Sequence, residues 1–194
     1  MNDTQHSYDY DLAIIGGGLA GLTLAIQGAN AGYKVIVFEK ESYPFHKVCG
    51  EYISMESWDF LTRCGVPLAD WSLPLISRLK VSDTNGKAYD FKLPMGGFGV
   101  SRYQLDNSLY QLALQKGATI RVSCKVNDVV YEDDHFNIQT QSGNYSAKVA
   151  TACYGKRSNL DIKWDRRFTS TKPGKLNNFI GVKYHIQYPQ PVDT

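Results

Sequence analysis

The sequence has four cysteines, Cys49, Cys64, Cys124 and Cys153, and no two of them form a C-x-x-C pair. That spacing excludes a zinc site and a disulfide framework, and it suits a reducing compartment. No apolar run approaches the roughly 18 residues that a membrane-spanning helix needs. The opening MNDTQHSYDY is polar and acidic, unlike a secretory signal. Together these absences predict a cytoplasmic protein. Charge of one sign is also lacking, since 21 Lys and Arg against 19 Asp and Glu leave +2. The most basic stretch, Lys156 to Lys175, reads as solvated surface because its aromatics do not alternate regularly with its bases. Nucleic acid is therefore not an expected partner. There is no internal repeat and no low-complexity tract. What remains is 194 residues, 43% hydrophobic and 21% charged, enough for one good core and the start of another.

Tyr10 to Ile15 reads as a strand apolar on both faces, as a central parallel strand should be. Leu22, Ala25, Ile26 and Ala29 then recur at helical spacing, with Gly32 placed to stop the helix. Lys34 to Phe38 is the next strand, completing a βαβ unit. Lys40 to Ile53 reads as a loop, and Ser54 as the cap of a helix reaching about Cys64, stopped by Gly65. RLKVSDTNGKAYDFKL predicts a hairpin around a two-residue Asn85-Gly86 turn. SRYQ, Ser101 to Gln104, is a capping box for a helix with Leu105, Leu109 and Leu112 on one face, ended by Gly117. Thr119 to Cys124 reads as a third parallel strand. Three more β segments follow, Lys125–Tyr131, His135–Thr140 and Tyr145–Cys153. Phe179 to Gln187 alternates like a strand of a different sheet, on which Ile180, Val182 and Tyr184 read as core.

Gly16, Gly18 and Gly21 form G-x-G-x-x-G between that first strand and helix. The first allows a tight turn, the second lets a pyrophosphate approach the backbone, and the third lets helix and strand pack closely. The helix then offers unpaired N–H groups and its positive dipole end to phosphates. Glu39 ends the second strand, eighteen residues past Gly21, where a carboxylate can accept hydrogen bonds from both ribose hydroxyls of an adenosine. Such charged hydrogen bonds contribute roughly 1.5–3 kcal/mol. Glu39 would repel a 2′-phosphate, so NADP in this loop is disfavoured. The glycine loop alone does not choose between FAD and NAD.

With DLAIIGGGLAGLTLA and VIVFEK, the loop YPFHKVCGEYIS and the segment GVSRYQLDNSLYQLA, the chain resembles the N-terminal part of geranylgeranyl-reductase-like flavoproteins. These are relatives of the aromatic-hydroxylase-type flavin monooxygenases and the flavin-dependent halogenases. The resemblance runs from about Tyr8 to Asp161, and its most specific pieces are K-x-C-G-E and S-R-x-x-L-D. It implies an α/β, Rossmann-like FAD-binding domain over residues 1–165, with a parallel sheet, inserted β hairpins and a β meander. Residues 166–194 would begin a substrate-domain sheet. It further implies FAD, with the turn Gly16, Gly18, Leu19, Ala20 and Gly21 on the pyrophosphate and Glu39, beside Lys40, at the adenosine ribose. Lys47, Cys49 and Gly50 match the loop that passes close to the flavin. Arg102 matches an arginine that reaches the cofactor phosphates, Val126 a residue whose backbone meets the adenine, and Gly155 the glycine of a G-A-D-G-x-x-S segment.

The chain departs from that pattern in two places. Tyr154 stands where the hydroxylases carry the aspartate of that segment, and the family's later Gly-Asp motif, with its central strand, has no counterpart. The residues taken singly have plainer readings: Arg102 as a surface arginine, Cys49 as a small buried side chain, Glu51 as a solvated loop acid. The leading functional expectation is an FAD-dependent oxidoreductase, or its N-terminal portion, with flavin reduced by NADH or NADPH that diffuses in. It would reduce a C=C bond of an isoprenoid-like or other apolar small molecule. Hydroxylation or halogenation is the alternative chemistry, and a truncated, non-catalytic nucleotide-binding protein the alternative class. An NAD-dependent dehydrogenase lacks an evident catalytic His or Tyr-x-x-x-Lys here. No catalytic residue is assigned, no metal is expected, peripheral membrane contact stays open, and the sequence is silent on oligomeric state.

Overall fold

The computed structural model describes residues 8–155, 158–169, 181–184 and 187. β1 (Tyr10–Ile15), α1 (Leu19–Asn30) and β2 (Val35–Phe38) follow in the predicted order. β2 is buried at every position, as a strand covered on both faces must be. α1 turns Leu22, Ala25 and Ile26 inward, all fully buried. Each large apolar side chain so buried contributes roughly 1.5–3 kcal/mol. Beyond α1, Gly32 takes φ +85°, its N–H reaches the Ala29 carbonyl, and the Tyr33 N–H reaches that of Gly28. This Schellman closure needs a left-handed residue, which glycine supplies without a Cβ penalty.

β3 (Tyr52–Ser54) comes next, then a 3₁₀ turn over Met55–Ser57, α2 (Trp58–Arg63), β4 (Leu75–Ser82), β5 (Ala88–Gly99) and α3 (Arg102–Gln115). Gly65 and Gly117 close α2 and α3 with the same paired bonds seen at Gly32. The helix expected from Ser54 is shorter than predicted, because the Ser54 hydroxyl bonds the Met95 sulfur instead of capping. The expected loop also ends earlier, since Tyr52 and Ile53 already pair with β5. The hairpin turn is corrected as well. Ser82 pairs with Ala88, and Asp83 Oδ1 accepts the N–H groups of both Asn85 and Lys87. Asp83 N–H also bonds the Lys87 carbonyl, so Thr84, Asn85 and Gly86 form a three-residue loop in which Gly86 sits at φ +83°.

β6 (Thr119–Arg121), β7 (Val126–Glu132), β8 (His135–Thr140), β9 (Gly143–Ala152) and the short α4 (Asn159–Lys163) complete the described elements. The larger sheet has the order β6-β2-β1-β9-β8-β7. Its first four strands run parallel, while β9, β8 and β7 form the antiparallel meander. β9 serves both parts. Its first half pairs with β8, and its second half runs beside β1 from Ala147 to Ala152. Ala13, Ile15, Ile36, Phe38, Ile138, Ala147 and Leu160 form the core on one face, with Tyr145 edge-on to Phe38.

By compactness the chain divides into two units, residues 1–45 with 106–179 and residues 46–105 with 180–194. The first holds the six-stranded sheet and α1, and the second holds the three-stranded sheet β3-β5-β4 and α2. The strand expected over 179–187 lies mainly outside the described residues, and residues 181–184 carry no regular element. Among the described residues, no helix is long and apolar enough to cross a membrane, and no His, Cys, Asp or Glu cluster could hold a metal ion.

Candidate functional site

The turn between β1 and α1 is built from glycines with separate reasons. Gly16 has φ +106°, and a Cβ there would lie 2.6 Å from the Cys153 carbonyl carbon and 2.7 Å from Tyr154 Cα. The end of β9 thus passes directly against the turn, and Cys153 N–H bonds the Ile15 carbonyl at 2.7 Å. A Cβ on Gly21 would overlap the Gly16 carbonyl oxygen, so helix and strand touch as their spacing predicts. Gly17, the unassigned middle glycine, is equally constrained. Its Cβ would overlap the Tyr43 hydroxyl and lie 3.0 Å from Glu39 Cβ.

Gly18 is the N-cap of α1, extended at φ −81° and ψ −170°, with no side-chain cap and no acid in the first turn. The first helical bond is Leu22 N–H to the Gly18 carbonyl, so the N–H groups of Leu19, Ala20 and Gly21 precede the helix's own ladder. Beside this open end stands Glu39, only 7% exposed. One carboxylate oxygen accepts Gly17 N–H at 2.9 Å, and the other accepts Glu41 N–H at 3.0 Å. Its backbone is held too, by the Arg121 carbonyl and by Cys124 N–H. A carboxylate oxygen has two acceptor sites, so each retains one beyond these bonds. A positive helix end next to a buried, oriented carboxylate fits the diphosphate and ribose of a dinucleotide.

The other predicted residues of this unit vary. Lys40 is exposed and 4.0 Å from Glu41, a pair worth little in water. Val126 is buried where β7 begins, beside a register shift before Asp128. Gly155 follows Tyr154 with φ +80°. Tyr154 does not offer the carboxylate of the hydroxylase pattern. Its hydroxyl donates to buried Asp161 at 2.7 Å, and Arg166 Nε lies 3.5 Å from the same carboxylate oxygen. Burial, then the Asp161 hydrogen bond and charge, push Tyr154 up to about 12, so its phenol stays a neutral donor. Burial likewise pushes the Cys153 thiol up.

In the second unit the K-V-C-G-E loop is partly ordered by Glu51. This residue has φ +59°, its N–H meets Cys49 Sγ at 3.4 Å, and its carbonyl accepts Val100 N–H. Its carboxylate accepts Arg102 N–H at 3.1 Å and pairs with the Lys183 ammonium. Glu51 is therefore no solvated loop acid: it caps α3, together with Ser101 Oγ, which accepts Gln104 N–H. Glu51 thus places an anion at the start of the helix that carries Arg102 in its first turn. Cys49 and Lys47 are half-buried and Gly50 is exposed. His46 stacks on Tyr103 at 4.6 Å.

Sequence reasoning missed Gly17 and Tyr43. The run of three consecutive glycines was a signal for the first of these. Tyr43 gave none, because only the fold brings it against Gly17.

Residues 11–46 match the family described as FAD binding domain. The chain is 30% identical over 116 residues to digeranylgeranylglycerophospholipid reductase 2 of Methanopyrus kandleri, covering 59% of this chain and 28% of that protein. It is 28% identical over 131 residues to menaquinone reductase of Mycolicibacterium smegmatis, covering 63% and 31%. The chain thus spans less than a third of the length of these two relatives. Among solved structures, p-nitrophenol 4-monooxygenase PnpA of Pseudomonas putida superposes with a TM-score of 0.67 at 22% identity, covering 79% of this chain and 43% of the other. The myxobacterial chondrochloren halogenase CndH gives 0.65 at 22%, covering 79% and 39%. The fold is the mixed α/β, Rossmann-like architecture of these flavoproteins, and the likeness read from the motifs is found again in the relatives.

Proposed function

We propose that this chain, whose residues 11–46 match an FAD binding domain, holds FAD by its adenosine and diphosphate end and serves an oxidoreductase acting on an apolar, isoprenoid-like substrate. The observation that carries the cofactor reading is the uncapped start of α1 beside the buried carboxylate of Glu39. The N–H groups of Gly18, Leu19 and Ala20 would receive the diphosphate, and Glu39 would receive the ribose hydroxyls. FAD, when bound, supplies the redox chemistry, with NADH or NADPH as the diffusible reductant. Gly16 and Gly21 keep the turn tight against β9, and Glu39 disfavours a 2′-phosphorylated ligand.

The reductase branch is favoured by Tyr154. It replaces the aspartate of the hydroxylase pattern and is engaged with Asp161. The relatives named digeranylgeranylglycerophospholipid reductase 2 and menaquinone reductase support the same branch. Hydroxylation or halogenation is the second reading, favoured by the structural likeness to a monooxygenase and a halogenase. The test is a visible spectrum of the purified chain, chromatography of its released cofactor, and anaerobic addition of NADH or NADPH. Stoichiometric FAD that bleaches anaerobically and then reduces an isoprenoid C=C bond supports the proposal. FAD that consumes oxygen productively with an aromatic substrate supports the second reading, and a colourless chain that takes up no added FAD overturns both.

A further inference from the structure

We infer that Tyr43 is a positioning residue of the dinucleotide site, one that aims the Gly18 N–H at the ligand. The inference rests on the FAD reading above and deepens it. The Tyr43 hydroxyl donates to the Gly17 carbonyl, while Gly17 N–H donates to Glu39 at 2.9 Å. Gly17 is therefore held on both sides.

The consequence follows from the planarity of the peptide. The Gly17 carbonyl and the Gly18 N–H belong to one rigid trans unit and point in opposite directions. Fixing the carbonyl on Tyr43 turns the Gly18 N–H away from Tyr43, at the start of α1. No hydrogen bond among the described residues occupies that N–H. The preceding peptide unit is fixed in the same way, since Glu39 holds Gly17 N–H. Two successive peptide planes are thus set by two side chains, and both lie outside the G-x-G-x-x-G pattern's own residues.

The phenol is well anchored for this role. Its ring stacks on Tyr110 with centroids 4.4 Å apart and planes 16° from parallel, and Phe45 leans against it at 5.5 Å. Gly17 is not among the positive-φ glycines, so its backbone suits any residue. It is glycine for want of space, because a side chain there would collide with the Tyr43 hydroxyl. Gly17 and Tyr43 form a matched pair.

The test titrates the full chain, freed of cofactor, with ADP and with FAD. Tyr43→Phe keeps the stacked ring and removes only the donor. We expect ADP and FAD each to bind about five- to tenfold more weakly, with the melting temperature of the cofactor-free chain unchanged. Gly17→Ala should abolish ADP binding in the wild-type background, yet add little to the loss already caused by Tyr43→Ala. Unchanged ADP affinity in Tyr43→Phe, or a loss that only tracks a lowered melting temperature, overturns the inference. So does a Gly17→Ala effect of equal size in both backgrounds. If the wild-type chain takes up neither ADP nor FAD, the cofactor reading falls and this inference with it. Wild-type binding with Tyr43→Phe at parity removes this inference alone.

Discussion

α1 and α3 each begin near a carboxylate, but only α3 uses it as a cap. At α3, Glu51 accepts Arg102 N–H and Ser101 accepts Gln104 N–H, so first-turn donors are satisfied from within the chain. At α1 no side chain caps Gly18, the first turn carries no acid, and Glu39 bonds Gly17, one residue before the N-cap. The same dipole and the same orphan donors are thus closed in one place and left open in the other. A helix end that the chain has closed contributes to stability. The one left open beside an oriented acid is the end proposed to take the ligand.

The comparison breaks most readily at Gly18. Its extended φ/ψ admits valine, so Gly18→Val should fold with a loss of about 1 kcal/mol for the poorer N-cap, and lose FAD retention by a hundredfold or more, at roughly 3 kcal/mol. Gel filtration followed by a flavin spectrum reads this directly, and full retention would show that nothing approaches that backbone. Glu39→Ala should weaken FAD by about tenfold to a hundredfold, the range of a charged hydrogen bond. Calorimetric titration checks it, and parity with wild type would reduce Glu39 to a brace for Gly17.

At the closed end the sign reverses. Glu51→Ala should cost about 1–2 kcal/mol in chemical denaturation while leaving ADP affinity unchanged. A weakened ADP site with full stability would mean that the two helix starts had been assigned the wrong way round.

The smallest effect concerns Tyr154. Its folded-state value, about 12, lies above the ordinary 10.0, so its contribution is fully present below 10 and is lost as pH rises through about 12. Over that window wild type should lose more stability than Tyr154→Phe. Parallel curves would argue that neither burial nor Asp161 raises the phenol in solution.

Much of the framework was legible because its signals are local. Gly32, Gly65 and Gly117 each stop a helix where the pattern placed a stop, and β1 and β2 announce themselves as continuous apolar runs. The hairpin loop was misjudged by one residue because Asn-Gly suggests a two-residue turn, whereas the Asp83 side chain recruits two N–H groups and widens it. The site was half legible. Spacing gave Gly16, Gly18, Gly21 and Glu39. It could not give Tyr43 over Gly17, β9 against Gly16, or Glu51 on a helix start 51 residues away, since those contacts exist only after the chain has folded.

The most direct test of the open helix end is a side-by-side titration of the cofactor-free chain with FAD and with FMN. FMN carries the isoalloxazine ring and one phosphate but lacks the adenosine that Glu39 is proposed to receive. The account predicts saturable binding of FAD and at least about tenfold weaker binding of FMN, a gap that narrows in Glu39→Ala. Equal affinity for the two flavins in the wild-type chain would contradict it.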